Sequence, residues 1–323
     1  MTTWSLRYDL RAPSFGPPAP ELYAAALEQS TWADERGCSG ITFSEHHGAE
    51  DGYLPSPIVM AGAAAARTKH ARIAISALIV PFHDQLRLAE DLAVVDLISN
   101  GRLTVTIGAG YAIHEFAMFD IALADRARLV EETVATLRQA WTGAPFEFRG
   151  RNVLVTPKPV QPGGPPILLG GSTTGAAKRA ARIADGFIPT APKFMKVYLD
   201  ELARLGKPVP ASGSAGGPLF LHVADEPDAA WAQIAPHALH ETNSYGAWAR
   251  GSTAAPYQPA TDADELRRRG MYVVVTPDEC VELARRLGPD ANLTFHPLMG
   301  GLDPKLGWQS LELFVDRVLP QLS

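Results

Sequence analysis

Residues Arg72 to Tyr111 read RIAISALIVPFHDQLRLAEDLAVVDLISNGRLTVTIGAGY. The apolar run Arg72 to Ile79 has the composition of a strand. It passes through Pro81 into a helical stretch, Gln85 to Ser99, that stops at Asn100-Gly101, and a second strand-like run follows at Leu103 to Ile107. Leu88, Leu92, Val95 and Ile98 recur at spacings of four, three and three, which predicts one buried stripe with a charged face opposite. Two strands joined by a helix of this length run parallel, because a parallel pair needs a crossover connection.

The same alternation extends in both directions. Upstream, Trp4 to Leu10 reads as a strand, Glu21 to Arg36 as a helix closed by Gly37, Gly40 to Ser44 as a strand and Pro57 to Thr68 as a helix. Downstream, Val130, Val134, Leu137 and Trp141 mark a helix that begins at the cap candidate Asp125 and ends before Gly143. Strands follow at Ile167 to Leu169, Gly186 to Pro189, Leu219 to Val223 and Asn292 to His296. Eight strands alternating with helices predict an α/β protein, a single (β/α)8 TIM barrel with insertions spanning residues 1–323. Thr142 to Pro166 reads as a surface hairpin, Ala211 to Gly217 as a flexible loop, and Gly251 to Asp262, which lacks periodicity, as a candidate lid.

Composition narrows the function class. The chain of 323 residues carries 29 Lys and Arg against 35 Asp and Glu, with no dense basic run to follow a phosphate backbone, so nucleic acid is not an expected partner. Two cysteines, Cys38 and Cys280, form neither a disulfide framework nor a metal clip, and a reducing, cytoplasmic setting is expected. No segment approaches the ~18 apolar residues that would span a bilayer, and the N-terminus does not read as a signal peptide.

Three segments could carry chemistry. Phe43-Ser44-Glu45-His46-His47 ends the second strand, where a barrel gathers its active-site groups. An imidazole there can move a proton near neutral pH, and Glu45 could orient it. Adjacent residues on extended chain point to opposite faces, so one histidine at most is expected to face a pocket. No third ligand stands at metal-site spacing, and no metal is expected. In Leu168 to Gly175, LLGGSTTG, a strand runs through glycines into a helix, an arrangement able to cradle a phosphate. It also reads as a plain capped helix. Gly108 and Gly110 leave the fourth strand where something flat could approach the backbone.

Taken in chain order, SEHH at Ser44, the stretch from Ala74 to Tyr111, HEFAMFDI at His114 and LLGGSTTGAAKRAARIADGF at Leu168 resemble the bacterial-luciferase-like superfamily of flavin- and F420-dependent oxidoreductases. The similarity spans roughly Ser5 to Asp185, and TPDECVELARRL at Thr276 and a closing helix around Leu311 to Leu322 fit it too. The resemblance implies a barrel, FMN or F420 at its mouth, and a homodimer. It implies a proton-transfer role for His46, with His47 as a substrate-side neighbour. Ser76-Ala77 falls at the family's non-prolyl cis peptide beneath the cofactor ring, where a bulge is expected. Gly108 would lie beside the ring, and Gly170, Gly171, Ser172 and Thr173 would receive the phosphate. Many relatives carry arginine where this chain has Ala109, which removes one phosphate contact. Tyr53, Tyr245 and Trp248 are candidate substrate-pocket residues, since aromatic rings shape apolar cavities. The leading implied function is a monooxygenase that uses O2 and reduced FMN supplied by a separate flavin reductase to oxygenate a small organic substrate. The alternatives are an F420-dependent dehydrogenase or reductase and a flavin-binding protein without turnover.

Overall fold

The computed structural model describes residues 2–210, 218, 220–249 and 257–322. Its strands are β1 (Thr3–Tyr8), β2 (Gly40–Phe43), β3 (Arg72–Ile79), β4 (Leu103–Gly108), β5 (Phe146–Phe148), β6 (Arg151–Val153), β7 (Ile167–Gly171), β8 (Gly186–Pro189), β9 (Phe220–Val223), β10 (Tyr272–Val275) and β11 (Asn292–Phe295). Nine of them form one parallel sheet in the order β10-β9-β11-β1-β2-β3-β4-β7-β8, and helices follow most of its strands. The fold is α/β, and the run from β11 through β8 winds in chain order as predicted. Among the described residues no ladder joins the end strands β8 and β10.

The sheet holds one strand more than the eight expected. Tyr-Val-Val-Val of β10 pairs with β9 in parallel, on the side of β9 away from β11. The run is β-branched and bounded by Gly270 and Pro277, so its signal is present in the sequence although the eight-strand reading passes over it.

Strand periodicity explains how charge enters the interior. Along β1, Trp4, Leu6 and Tyr8 are buried on one face. The Tyr8 hydroxyl donates to Gln29 Oε1 on the helix Ala19–Asp34 at 3.2 Å, and Trp4 packs edge-on to Phe295. Ser5 and Arg7 therefore point to the opposite face, where Ser5 Oγ accepts from Asn292 Nδ2 at 2.7 Å. Asp9 and Arg11 continue that polar line beyond the C-terminal end of β1, fully buried.

Elsewhere the outcome is mixed. Leu88, Leu92 and Val95 of the helix Gln85–Ser99 are buried as predicted, but Ile98 is 46% exposed, beside exposed Val94 and Leu97. Asp125 makes no capping hydrogen bond and instead pairs with Arg128 at 3.2 Å, because its backbone is already helical. Within Thr142 to Pro166, β5 and β6 form an antiparallel hairpin, its turn at Arg149 and Gly150 with φ of +48° and +74°. The loop at Ala211 to Gly217 lies outside the described residues, as does the first half of the lid candidate, through Pro256. The second half is tied down, with Ala260 exchanging two 2.9 Å hydrogen bonds with the Asn243 side chain. No helix among the described residues is long and apolar enough to cross a membrane.

Candidate active site

The C-terminal ends of the parallel strands bring the site together, as the barrel reading requires. Beyond β2, Ser44, Glu45, His46 and His47 are all buried. The extended backbone sends the two histidines to different surroundings. His46 sits among Trp248, Tyr53, Tyr111 and Tyr245, with ring centroids 4.6, 4.9, 5.5 and 5.6 Å away. His47 lies instead against Phe119 and Phe82, at 4.8 and 5.5 Å. The structure thus gathers His46, Tyr53, Tyr245 and Trp248 in one cluster and leaves His47 outside it.

Carboxylates fix both imidazoles. Glu115 Oε1 lies 2.7 Å from His46 Nδ1 and accepts the His47 backbone N–H at 2.8 Å. In the tautomer whose Nδ1–H donates to this carboxylate, Nε2 is left to accept, and it stands 3.3 Å from the Tyr111 hydroxyl. On the other face, Glu45 meets His47 Nε2 at 2.8 Å and His83 Nε2 at 3.0 Å and accepts from the Ile79 backbone N–H at 2.6 Å. Burial alone would raise the Glu45 carboxyl, but the bonds from His47 and His83 hold it below its ordinary value. Glu45 therefore braces His47 and β3 rather than His46.

Behind the aromatic cluster runs a buried polar chain. The Arg11 guanidinium lies 4.7 Å from the Tyr53 ring centroid, 5.0 Å from that of Tyr245 and 4.8 Å from that of Trp248. Its Nη1 donates to Asp51 Oδ2 at 2.8 Å, and its Nε stands 3.3 Å from Asp9 Oδ2. Asp51 also meets His240 Nε2 at 2.7 Å. Asp9, Glu241 and His296 bring potential metal-ligand atoms within 4.8 Å of one another. The two carboxylates approach different ring nitrogens, however, Asp9 at Nε2 (3.4 Å) and Glu241 at Nδ1 (3.6 Å). His296 Nε2 and Glu241 Oε1 are both buried without a hydrogen-bond partner among the described residues.

The proposed cofactor positions occupy three adjacent strands, β3, β4 and β7. Ser76-Ala77 is a cis peptide, and the β3–β4 register shifts between Ser76 and Leu78, so the bulge expected there is present. A Cβ on Gly108 would stand 2.9 Å from Ile79 Cδ1 and 3.0 Å from Ala77 Cβ, so packing across the bulge itself favours glycine. Gly171 has a similar constraint, since a Cβ there would lie 2.5 Å from Ala176 Cβ. Thr173 caps the helix Thr174–Ile183 by accepting from Ala176 N at 3.1 Å. Ser172 is half-buried and Thr173 exposed, at the end of the helix where the first amides have no intrahelical partner.

Residues 7–288 match the sequence profile of the family described as luciferase-like monooxygenase. The chain belongs to the luciferase-like monooxygenase family. Among its relatives, the F420-dependent glucose-6-phosphate dehydrogenase of Amycolatopsis mediterranei (strain U-32) is 30% identical over 209 residues, 60% of this chain and 60% of that protein's length. The monooxygenase RslO1 of Streptomyces bottropensis superposes with a TM-score of 0.78 at 23% identity, covering 99% of this chain and 100% of that one. The oxygenating constituent of 3,6-diketocamphane monooxygenase of Pseudomonas putida, in complex with FMN, does so with a TM-score of 0.73 at 19% identity, covering 98% of each. The luciferase-like members similar to this chain thus include both monooxygenases and F420-dependent dehydrogenases.

At this candidate site, Glu115, Tyr111 and Arg11 are structural finds. Glu115 stands in the HEFAMFDI segment, but its partner is 69 residues away. Arg11 carried a local signal, a charge just past the C-terminal end of a barrel strand.

Proposed function

We propose that this protein is a flavin-dependent monooxygenase that oxygenates a small organic substrate with O2 and reduced FMN, the FMN being delivered by a separate reductase. The observation that carries the reading is the aromatic enclosure of His46, whose imidazole is buried among four rings and held by Glu115. A site that activates oxygen benefits from excluding water, which would otherwise divert the reduced cofactor.

The residues present fit a flavin mononucleotide. Ser76 and Ala77 are half-exposed at the end of β3, Gly108 lies on the next strand, and Gly170 to Thr173 lead into a helix N-terminus on the strand after that. Adjacent strands lie about 4.8 Å apart, so this arc separates a ring floor from a phosphate cradle by about 10 Å. Ser76 and Ala77 would support the ring, and Ser172, Thr173 and the first helix amides would hold the phosphate. A Cβ at Gly170 would meet only ordinary contacts, the nearest at 3.7 Å, so its glycine leaves the backbone open to a close ligand instead of relieving a clash. Reduced FMN, when bound, supplies the electrons that activate O2. Around it, His46 Nε2 accepts and returns a proton while Glu115 holds Nδ1 and sets the tautomer. Tyr53, Tyr245 and Trp248 shape the substrate space and keep solvent out.

A second reading, an F420-dependent dehydrogenase, draws on the His46–Glu115 pair, which is equally suited to take the proton of an alcohol as hydride leaves its carbon. The protein is further proposed to form a homodimer through the helices Pro57–Arg67 and Gln85–Ser99, which pack together and leave Val59, Val94, Leu97 and Ile98 exposed.

Anaerobic titration of the purified protein with reduced FMN and with F420, followed by admission of oxygen, tests the assignment. Tight binding of reduced FMN with substrate-dependent oxygen consumption is expected. Preference for F420 moves the assignment to hydride transfer, flavin binding without turnover makes the protein a binder, and binding of neither overturns the reading.

A further inference from the structure

We propose that the outer face of the helix Pro304–Leu313 is a contact surface for a second copy of this chain, two such helices pairing antiparallel about a two-fold axis. The surface shares no residue with the candidate active site or with the helix face that exposes Ile98, and it stands whichever redox reading holds.

The helix opens at Asp303, whose carboxylate accepts from the Lys305 backbone N–H at 2.8 Å, and it buries Gly307, Ser310 and Leu311. The 3.6-residue period then places Lys305, Trp308, Gln309 and Glu312 together on the opposite side. With Trp32 of the neighbouring helix Ala19–Asp34, these four line an open groove of about 510 Å3. The Trp32 and Trp308 rings meet edge to face, 5.5 Å between centroids, and both are half-buried, so part of each indole stays at the surface. Lys305 and Glu312 are exposed, and neither side chain joins an ion pair among the described residues. They do not reach each other, because seven residues of helix separate them by about 10.5 Å.

The order Lys-Leu-Gly-Trp-Gln-Ser-Leu-Glu from Lys305 to Glu312 is antisymmetric in charge about the midpoint between Trp308 and Gln309. A two-fold axis through that midpoint sets Lys305 opposite the partner's Glu312 and Trp308 opposite the partner's Gln309, and repeats both contacts at the other end. A parallel pairing would set lysine on lysine and glutamate on glutamate, which repel. The charge pattern therefore selects a second copy, and selects the antiparallel arrangement. It also puts aromatic surface at the centre and charge at the rim, as in other protein interfaces. The helix face is about 15 Å long and about 10 Å wide, well short of the roughly 800 Å2 per partner of a standard interface, so the contact is weak and joins chains only at high concentration.

Zero-length carbodiimide cross-linking of the full-length protein, unlabelled and heavy-isotope-labelled chains mixed, over a series from micromolar to millimolar, tests the arrangement. The expected product is an amide between Lys305 and Glu312 that carries both isotopes and grows with concentration, since one chain cannot bring the two side chains' helix positions into direct contact. Sedimentation equilibrium in an Ile98→Glu background, which removes the other proposed contact, measures the association by itself. There Lys305→Glu or Glu312→Lys alone places like charges opposite each other at both ends and is expected to weaken association by about tenfold, more so at low salt. The double variant K305E/E312K restores both pairs with their signs exchanged and should recover it. Absence of the mixed-isotope product, indifference to the single reversals, or failure of the double variant to recover would each overturn the inference. Loss of the product in Ile98→Glu would also overturn it, whereas loss of FMN binding with the product intact defeats the cofactor assignment alone.

Discussion

Removing Glu115 should destabilise the protein through two identifiable donors, and the share that passes through His46 can be isolated. Glu115 Oε1 receives His46 Nδ1 at 2.7 Å and the His47 backbone N–H at 2.8 Å, all within a buried site. In Glu115→Ala both donors lose their acceptor, at a cost of about 1–3 kcal/mol each, so the variant should lose about 2–6 kcal/mol. His46→Ala removes the imidazole and leaves the His47 amide bonded, so it should cost less hydrogen-bond energy than Glu115→Ala. In the double variant the His46–Glu115 bond is already absent, and its cost should fall short of the sum of the single changes by about 1.5–3 kcal/mol, the range for a bond to a charged group. Urea denaturation of the four proteins at pH 7.5 measures all terms without a substrate or cofactor. A coupling below about 0.5 kcal/mol, the scatter expected for independent sites, would refute the claim that Glu115 fixes His46. Glu115→Gln keeps an acceptor oxygen, and should recover most of the stability while weakening the charge-assisted part of the bond.

Other outcomes follow from single positions. Burial pushes the His222 imidazole down to about 4 from 6.5, so between those pH values the unfolded chain binds the proton and the native one does not. The contribution of His222 to stability is thus intact above about pH 6.5 and is lost as pH falls toward 4, by about 3 kcal/mol in all; comparing urea midpoints of the wild type and His222→Phe at pH 7.5 and 4.5 should show that part of the slope missing in the variant. At Gly164, where φ is +91°, a Cβ would stand 2.0 Å from the Trp141 indole, so Gly164→Ala should lower stability by about 2–5 kcal/mol in thermal or urea unfolding. On the proposed homodimer, Ile98→Glu, on the exposed helix face, should leave the fold intact by circular dichroism and shift the protein from dimer to monomer in sedimentation velocity, and a wild type that sediments as a monomer overturns that proposal.

How far the sequence could be read depended on the range of the interaction. The strands β1 to β4 and the helices between them follow from local period and punctuation, and Gly37 and Asn100 stop helices because each takes a left-handed backbone, φ +77° and +54°. Ile98 fails for a related reason. The 3.6-residue period says that it shares a side with Leu88 and Leu92, but how wide a stripe is covered depends on what packs outside the helix. The structureless reading of Gly251 to Asp262 stands on similar ground, because Ala260 is held by Asn243, a tertiary contact that leaves no periodic trace.

The site divides along the same line. That His46 and His47 face apart is a property of extended backbone, and that Tyr245 and Trp248 share a face is a property of helical spacing, so both could be argued from sequence. What makes the site a site is long-range. Tyr53 meets Tyr245 across 192 residues, His46 meets Glu115 across 69, and Arg11 meets Asp51 across 40. A charged residue just past a barrel strand can be suspected from its position, as Arg11 could have been, but whether it is paired, and whether a donor is left over, depends on distances that only the folded chain defines. Arg11 shows this directly: the fold brings two carboxylates and three rings to its guanidinium, and still leaves both Nε and Nη2 without a hydrogen-bond partner among the described residues.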